Sequence, residues 1–124
     1  MSDPRHDLRI KIVQQLFALS FSNTKKQLIS EKTKQIVKNM SSIDELIKKY
    51  APKYPLDKVA KVDLAILQLA VFELNFEKKE PSKVIIDEAI ELAKCFAEED
   101  AYRFVNGILD PISKEFRKDA SIEN

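Results

Sequence analysis

The sequence predicts an all-α fold: one compact helical domain over residues 1–124, with six to seven helices. Apolar residues recur three or four positions apart along most of the chain, which is the spacing of one face of a helix. The chain has a single glycine, and its apolar and charged fractions of 44% and 33% are typical of a globular protein. A chain of 124 residues is also long enough to bury one sizeable core.

The first two helices are predicted in the N-terminal region. Asp3 and Pro4 indicate the start of the first helix, because aspartate caps a helix and proline suits its first position. This helix is expected to reach about Phe21, and residues 22–24 (Ser-Asn-Thr) are expected to form a turn. A second helix is predicted over about 25–39.

A short third helix is predicted from a capping box. Ser42 and Glu45 have the S-x-x-E spacing in which each side chain bonds to the backbone of the other residue. The helix is therefore expected to begin at Ser42 and to end near Tyr50. Pro52 and Pro55 then bracket a linker.

The segment 56–76 is predicted to be a central, buried helix, because its apolar residues cover almost the whole circumference. A polar loop at 77–80 follows it. Pro81 and Ser82 indicate the start of a fifth helix. Its inward-facing residues are predicted to be Val84, Ile85, Ala89, Ile90, Ala93 and Phe96.

The stretch FVNGIL, residues 104–109, contains the only glycine, directly after an asparagine. Asn-Gly favours a hairpin, but the apolar pairs around it are four residues apart, which predicts a helix. A glycine inside a helix costs about 1 kcal/mol relative to alanine. We therefore expect Gly107 to lie at a close helix crossing that leaves no room for a side chain.

The C-terminal region is predicted to contain a helix break. Asp110 and Pro111 have the pattern of a new cap followed by a first helical position. We therefore expect a break at residue 110 and a short final helix that ends at about Lys118. The remaining residues, 119–124, are expected to form a frayed tail.

The residue types exclude most catalytic and metal chemistry. The chain has one histidine, one cysteine and one glycine, so it can form neither a His or Cys metal cluster nor a glycine-rich phosphate loop. We therefore expect no enzyme activity, no metal and no cofactor. Cys95 fits a reducing compartment. Because no apolar run is long enough for a signal peptide or a membrane span, we expect a cytoplasmic location without membrane attachment.

Basic and acidic residues are unevenly distributed. Residues 1–38 contain eight Lys or Arg and three Asp or Glu, whereas residues 80–100 contain two Lys and seven acidic residues. Two different partners would explain this asymmetry, and so would two ordinary solvated helix faces.

The first helix offers a candidate phosphate-binding face. Arg5 and Arg9 are four residues apart, with His6 beside them, and arginine binds phosphate through paired hydrogen bonds. Phe104 is the candidate for stacking on an RNA base. Its helical spacing equally fits plain core packing.

Three segments of the chain carry a resemblance to a known family. The stretch PSKVIIDEAIELAKCFAEEDAYRFVNGILDPI, residues 81–112, is similar to the C-terminal signature of the NusB family. The stretch VDLAILQLAVFEL, residues 62–74, resembles its central helix, and RHDLRIKIVQQLFAL, residues 5–19, resembles its arginine-rich first helix. The resemblance covers nearly the whole chain and implies two packed three-helix bundles.

The resemblance also implies a function in bacterial transcription antitermination and ribosomal RNA synthesis. It implies that the domain pairs with the ribosomal protein NusE in the antitermination complex of RNA polymerase. The pair would bind the single-stranded boxA sequence of the nascent transcript. The positions that match the family's RNA-binding residues are Arg5, His6, Arg9, Lys83, Asp100 and Phe104. The positions that match its NusE-binding side are Phe17, Asp57 and Asp63.

Several residues depart from the family pattern. Asp7 and Gln68 stand where arginine is frequent, Asp87 stands for asparagine, and Pro111 interrupts the last helix. These departures lower the expected RNA affinity. Two other functions stay open: a protein–protein adaptor without RNA binding, and the RNA-binding module of a ribosomal RNA cytosine methyltransferase. The second is disfavoured because no glycine-rich cofactor segment follows. The RNA sequence and a homodimer formed through the partner surface also stay open.

Overall fold

The computed structural model describes residues 3–21 and 29–121, and these are helical with no β-strand. The all-α prediction is therefore confirmed. The predicted turn at 22–24 lies outside the described residues, as does the start of the predicted second helix. The helices are α1 (Pro4–Leu19), α2 (Glu31–Lys38), α3 (Met40–Tyr50), α4 (Lys61–Phe72), α5 (Ser82–Phe96), α6 (Ala101–Phe116) and α7 (Lys118–Ser121). A 3₁₀ turn spans Leu56–Lys58, and a π-helical turn spans Glu73–Glu77.

Two packed three-helix bundles, α1–α3 and α4–α6, form the core. Helix α4 lies at their junction, where it contacts α1, α2, α3, α5 and α6. Every residue from Ala65 to Phe72 is buried, as an all-round apolar segment predicts. None of the helices in the described part of the chain is both long and apolar enough to cross a membrane.

Helix α1 begins where the sequence predicts, whereas α3 does not. The Asp3 carboxylate accepts a hydrogen bond from the backbone N–H of Arg5 at 2.9 Å, with Pro4 at the first helical position. Helix α3 begins at Met40, so Ser42 and Glu45 lie inside it and the predicted capping box is wrong. Only Asn39 separates α2 from α3, and its carbonyl already accepts from the N–H of Ile43.

The central helix is shorter at its start and longer at its end than expected. The 3₁₀ turn occupies residues 56–58, so α4 begins only at Lys61. At the other end the helix continues as the π-helical turn, and Lys78 stops it with a left-handed backbone (φ 55°).

On α5, Ile85, Ala89 and Ala93 are buried as predicted. Val84 and Phe96 are exposed, so their predicted inward positions are wrong.

Helix α6 runs unbroken through Pro111, so the predicted break at Asp110 is wrong. A proline inside a helix removes the hydrogen bond to the carbonyl four residues earlier, which here is that of Gly107. Apolar residues on both sides of the proline bury this face of α6 and hold the helix together, namely Val105, Ile108, Leu109 and Ile112.

Residues 119–121 belong to α7, and the frayed tail stays a prediction. The Asp119 carboxylate accepts from the backbone N–H of Ser82 at 2.8 Å and from its hydroxyl at 2.6 Å. Pro81 cannot cap α5 through a side-chain hydrogen bond. A residue 37 positions further along the chain therefore caps this helix.

Gly107 does not lie at a helix crossing. It is exposed, and a Cβ atom built on it meets no atom within 4 Å. The prediction of a crowded backbone is therefore wrong, because α6 turns its apolar face, and not this residue, towards the core. A side chain at position 107 would extend into open space.

Candidate nucleic-acid interface

Arg9, predicted to contact RNA, is buried in a cluster of three glutamates. Its side chain is 6% exposed. Its Nε and Nη2 atoms donate to Glu73 at 2.9 and 2.6 Å, Nη1 donates to Glu88 at 3.1 Å, and Nη2 also donates to Glu80. Burial alone would lower the pKa of the Arg9 guanidinium, but the hydrogen bonds and charges of Glu73 and Glu80 raise it above its ordinary value.

A contact of the Arg9 guanidinium with a phosphate stays a prediction. In this structure four of its five N–H groups already donate to carboxylates of the same chain. The sequence holds one signal for this network: Glu73 is a charged residue in an otherwise apolar stretch, and a buried charge needs a partner. We call Arg9, Glu73, Glu80 and Glu88 the arginine network.

Arg5 and His6 lie on the outer side of the arginine network. Arg5 has a side chain that is 71% exposed, and its Nη1 donates to Glu80 at 2.8 Å. His6 Nδ1 lies 3.1 Å from a carboxylate oxygen of Glu88. The hydrogen bond from Arg9, followed by the nearby positive charges, holds the pKa of Glu80 below its ordinary value.

Carboxylates surround the exposed basic residues of this surface. A groove here is lined by Asp3, Arg5, His6, Val84, Asp87, Glu88 and Glu91. The predicted contact Lys83 is exposed on α5 and pairs with Asp87 at 3.2 Å. The basic face expected from the sequence is therefore largely neutralised by residues of α5 and of the loop before it.

Phe104 lies in a different groove, between α6 and the linker at 51–55. It is half-buried against the core, and its ring meets that of Tyr54 edge to face with centroids 5.3 Å apart. The groove has a volume of about 290 Å³ and is lined by Tyr50, Ala51, Pro52, Lys53, Tyr54, Phe104, Gly107 and Ile108. We call it the Phe104 groove. Asp100, the other predicted residue of this region, is exposed one helical turn before Phe104.

Sequence reasoning found Phe104 but missed Tyr54 and Lys53. The available signal was the position of Tyr54 between Pro52 and Pro55, because an aromatic residue in a short proline-bounded linker has little core to enter. Its side chain is 56% exposed. An aromatic ring beside a lysine can stack on a base and pair with its phosphate.

Another groove, which is apolar, lies on the α1 side of the molecule. It has a volume of about 350 Å³ and is lined by Ile10, Val13, Gln14, Phe17, Val62 and Phe96. Phe17 and Phe96 are 40% and 46% exposed. Phe17, predicted to bind a partner, therefore presents much of its ring to solvent. We call this the Phe17 groove.

The other two predicted partner residues differ in position. Asp63 follows Val62 of the Phe17 groove and is buried, and its Oδ1 atom has no hydrogen-bond partner in the described part of the chain. Burial, followed by the charge of Glu98, raises the pKa of this carboxyl. Asp57 is exposed in the 3₁₀ turn, where it lines a separate groove with Tyr54.

Two residues that depart from the family pattern have structural partners. Gln68 donates to Asp44 at 3.0 Å across the α3–α4 contact, and burial raises the pKa of Asp44 despite that bond. Asp87 forms the ion pair with Lys83 already described. Within residues 3–21 and 29–121, no group of three or more His, Cys, Asp or Glu side chains is arranged to hold a metal ion.

These features define a small all-helical domain whose surface grooves differ in chemistry: one is aromatic with a lysine, and another is apolar. The chain belongs to the NusB family, because the model of that family matches residues 4–114.

Curated relatives agree with this assignment. The NusB of Thermotoga maritima is 51% identical over 80 residues, which cover 64% of this chain and 56% of the relative. The NusB of Pseudothermotoga lettingae is 37% identical over 112 residues, which cover 90% of this chain and 80% of the relative. Both are named "Transcription antitermination protein NusB". The chain thus spans little more than half the length of the T. maritima relative.

Two solved structures share the fold. Crystal form 2 of T. maritima NusB superposes with a TM-score of 0.79 at 36% identity and covers both chains completely. A second chain, from the "Crystal Structure of a Plectonemic RNA Supercoil", superposes with a TM-score of 0.78 at 25% identity. That match covers 90% of this chain and 94% of the other.

Proposed function

We propose that this protein is a transcription antitermination factor that binds boxA-type single-stranded RNA in nascent ribosomal transcripts together with NusE. Membership of the NusB family and the names of the relatives support the role in antitermination. A chain of the same fold comes from a crystal structure that is described as that of an RNA supercoil, and this supports RNA as a partner. The observation that carries the proposal is the pairing of half-buried Phe104 with exposed Tyr54 and Lys53 in one groove.

The proposed RNA face combines stacking with phosphate contacts. Phe104 stacks on a base, and Arg5, His6 and Lys83 pair with phosphates. Asp100 disfavours RNA through charge repulsion, because it lies one helical turn from Phe104. In this proposal Arg9 acts as a positioning residue and does not itself contact a phosphate. It holds Glu80 and Glu88, which contact Arg5 and His6, and so positions the exposed basic residues.

The proposed NusE side is the Phe17 groove with the adjoining Asp63. An apolar groove with two half-exposed phenylalanine rings suits an apolar segment of a partner. The unpaired Oδ1 of Asp63 suits a donor from the same partner, because a buried acceptor without a hydrogen bond is costly. Asp57 contributes from a neighbouring surface. In this proposal the pair acts in the cytoplasm within the antitermination complex of RNA polymerase.

The experiment is a set of binding isotherms with a boxA-like RNA oligonucleotide, with and without NusE, at two salt concentrations. We expect NusE to tighten RNA binding and added salt to weaken it, because phosphate contacts release counterions. An oligonucleotide of the same composition and shuffled order is the control. Binding of NusE without any binding of RNA would support the adaptor alternative. Sedimentation of the free protein tests whether a second copy occupies the Phe17 groove.

A further inference from the structure

Arg117, between α6 and α7, is a largely buried arginine that donates to backbone carbonyls. Its side chain is 12% exposed. Its Nη1 atom donates to the Leu74 carbonyl at 3.2 Å, and its Nη2 atom donates to the Glu80 carbonyl at 2.8 Å. Leu74 belongs to the π-helical turn, and the last carbonyls of a helix have no partner within it. One guanidinium therefore joins the two ends of the segment 74–80.

The segment that Arg117 spans contains a backbone conformation that needs support. Lys78 is left-handed, with φ of 55° and ψ of 37°, which is uncommon for residues other than glycine. Such a conformation persists where the surrounding structure holds it. Asp119 adds to this support, because its carboxylate accepts from Arg117 at 3.2 Å and from the backbone N–H of Ser82 at 2.8 Å. We call Arg117 and Asp119 the C-terminal clamp.

The clamp fixes the backbone of a residue that holds Arg5. The Glu80 carbonyl accepts from Arg117, and the Glu80 carboxylate accepts from Nη1 of Arg5 at 2.8 Å. The Glu80 side chain is mostly buried, whereas that of Arg5 is largely exposed. A chain of hydrogen bonds thus leads from Arg117 through Glu80 to an exposed basic residue. Because a free arginine side chain has many rotamers, an anchored partner restricts where its guanidinium lies.

We propose that the C-terminal clamp positions Arg5 for RNA, while neither clamp residue contacts the RNA itself. Arg117 fixes the backbone of Glu80, and Glu80 orients the Arg5 guanidinium towards a phosphate. Because Arg5 is held before the RNA arrives, less of its conformational freedom is lost on binding. This inference rests on the proposed function, and it adds Arg117 and Asp119 as positioning residues.

The first test removes the clamp and uses a charge-matched control. Arg117→Ala should weaken binding of a boxA-like RNA by roughly 2- to 30-fold, the range for residues that act on a binding site without touching its ligand. Lys114→Ala is the control, because it removes the same charge from an exposed position of α6, where Lys114 pairs with Asp110. It should change affinity by less than about twofold, as is usual for a surface substitution.

Arg117→Lys separates positioning from charge alone. Lysine keeps the positive charge but presents its donors from a single nitrogen, whereas arginine serves the two carbonyls from two different nitrogens. We therefore expect Arg117→Lys to leave RNA binding below that of the parent. Full recovery of the parent affinity would mean that the charge suffices.

A double-mutant cycle tests the path through Arg5. Arg5→Ala should weaken RNA binding, and Arg117→Ala should add little further loss in that background, because residues that act through one another are not additive. A readout without RNA is a carbon-13 NMR titration of the free protein. In Arg117→Ala the pKa of Glu80 should move back towards its ordinary value, because its carboxylate is then less well placed against Arg9. Lys114→Ala should leave this titration unchanged.

Thermal melts establish that each variant is folded at the assay temperature. If Arg117→Ala is unfolded there, Asp119→Asn takes its place in the same measurements. The amide oxygen still accepts from the N–H of Ser82, but its attraction for Arg117 is weaker because it carries no charge. RNA binding should weaken in the same direction by a smaller factor.

The outcomes separate this inference from the proposed function. If the parent binds RNA and the folded clamp variants bind it equally well, the clamp is refuted and the proposed function stands. Full recovery with Arg117→Lys, or additive losses from Arg5→Ala and Arg117→Ala, would refute the clamp in the same way. If the parent does not bind RNA, both the proposed function and the inference are refuted.

Discussion

The arginine network and the Phe104 groove both contain residues predicted to bind RNA, but they differ in what they leave available to a ligand. In the network, four of the five N–H groups of the Arg9 guanidinium donate to carboxylates of the same chain. In the groove, aromatic rings and a lysine face open space. The comparison teaches that burial and pairing together, as at Arg9, make a charged side chain far less available to a ligand than its place in the sequence suggests.

The largest expected effect would come from breaking the network. Arg9→Ala leaves three carboxylates without their shared cation, two of them largely buried, and loss of one partner from a buried ion pair costs about 3–5 kcal/mol. Denaturant unfolding measures this loss. Arg5→Ala is the control: its exposed ion pair should change stability by less than about 1 kcal/mol, while RNA binding weakens and becomes less sensitive to salt. Equal stability of the two variants would contradict the structural role of Arg9.

The next largest effects should distinguish a core residue of α6, Leu109, from a groove residue of the same helix, Phe104. Leu109 is fully buried, so Leu109→Ala should cost about 2–5 kcal/mol of unfolding free energy with near-normal RNA affinity in the folded fraction. Phe104→Ala should instead lose about 1–3 kcal/mol of RNA binding. Thermal melts and RNA isotherms of both variants distinguish the two roles. If Phe104→Ala only destabilises the fold, Phe104 is a core residue and is not part of the proposed RNA-binding surface.

The network should also give the protein an acid-sensitive component of stability. The pKa of Glu80 in the folded protein lies below its ordinary value of 4.5, chiefly because of the hydrogen bond from Arg9. The contribution of ionised Glu80 to the free energy of unfolding is therefore fully present above about pH 4.5. It is lost as the pH falls through the lower pKa that Glu80 has in the folded protein. Denaturant midpoints between pH 6 and 3 should fall less steeply for Glu80→Gln than for the parent. Glu91→Gln, exposed on α5, is the control and should match the parent.

The smallest effect concerns the charge beside the Phe104 groove. Asp100→Asn removes an exposed negative charge one helical turn from Phe104, so RNA affinity should rise modestly. The gain should be larger at low salt, where screening is weak. Glu99→Gln, the exposed neighbour, shows whether the effect depends on position or on net charge alone. An equal gain in both variants would remove the specific role of Asp100.

Local signals in the sequence predicted local structure well. Asp3 and Pro4 placed the start of α1 correctly because both act within one turn of the backbone. The same kind of signal was wrong at Pro111, because buried residues on both sides of it hold α6 together. The capping pattern at Ser42 was wrong for a similar reason: α3 already starts earlier, directly after α2.

The candidate site was only partly predictable. Phe104 followed from a motif, and its half-buried position is compatible with each of the two roles that the sequence left open. The burial of Arg9 depends on partners 64, 71 and 79 residues away, and no local pattern contains that information. Tyr54 joins Phe104 only because the linker folds back on α6. Pairings of this range depend on the packing of the whole domain.

The bond between Asp119 and Ser82 has a consequence for the order in which the protein is made. Asp119 is added to the chain 37 residues after Ser82, so the residues of α5 are synthesised before the side chain that caps them. Arg117 adds a second late contact, because its Nη2 donates to the Glu80 carbonyl at 2.8 Å. The fifth helix therefore reaches its final hydrogen bonding only after Arg117 and Asp119 have been translated.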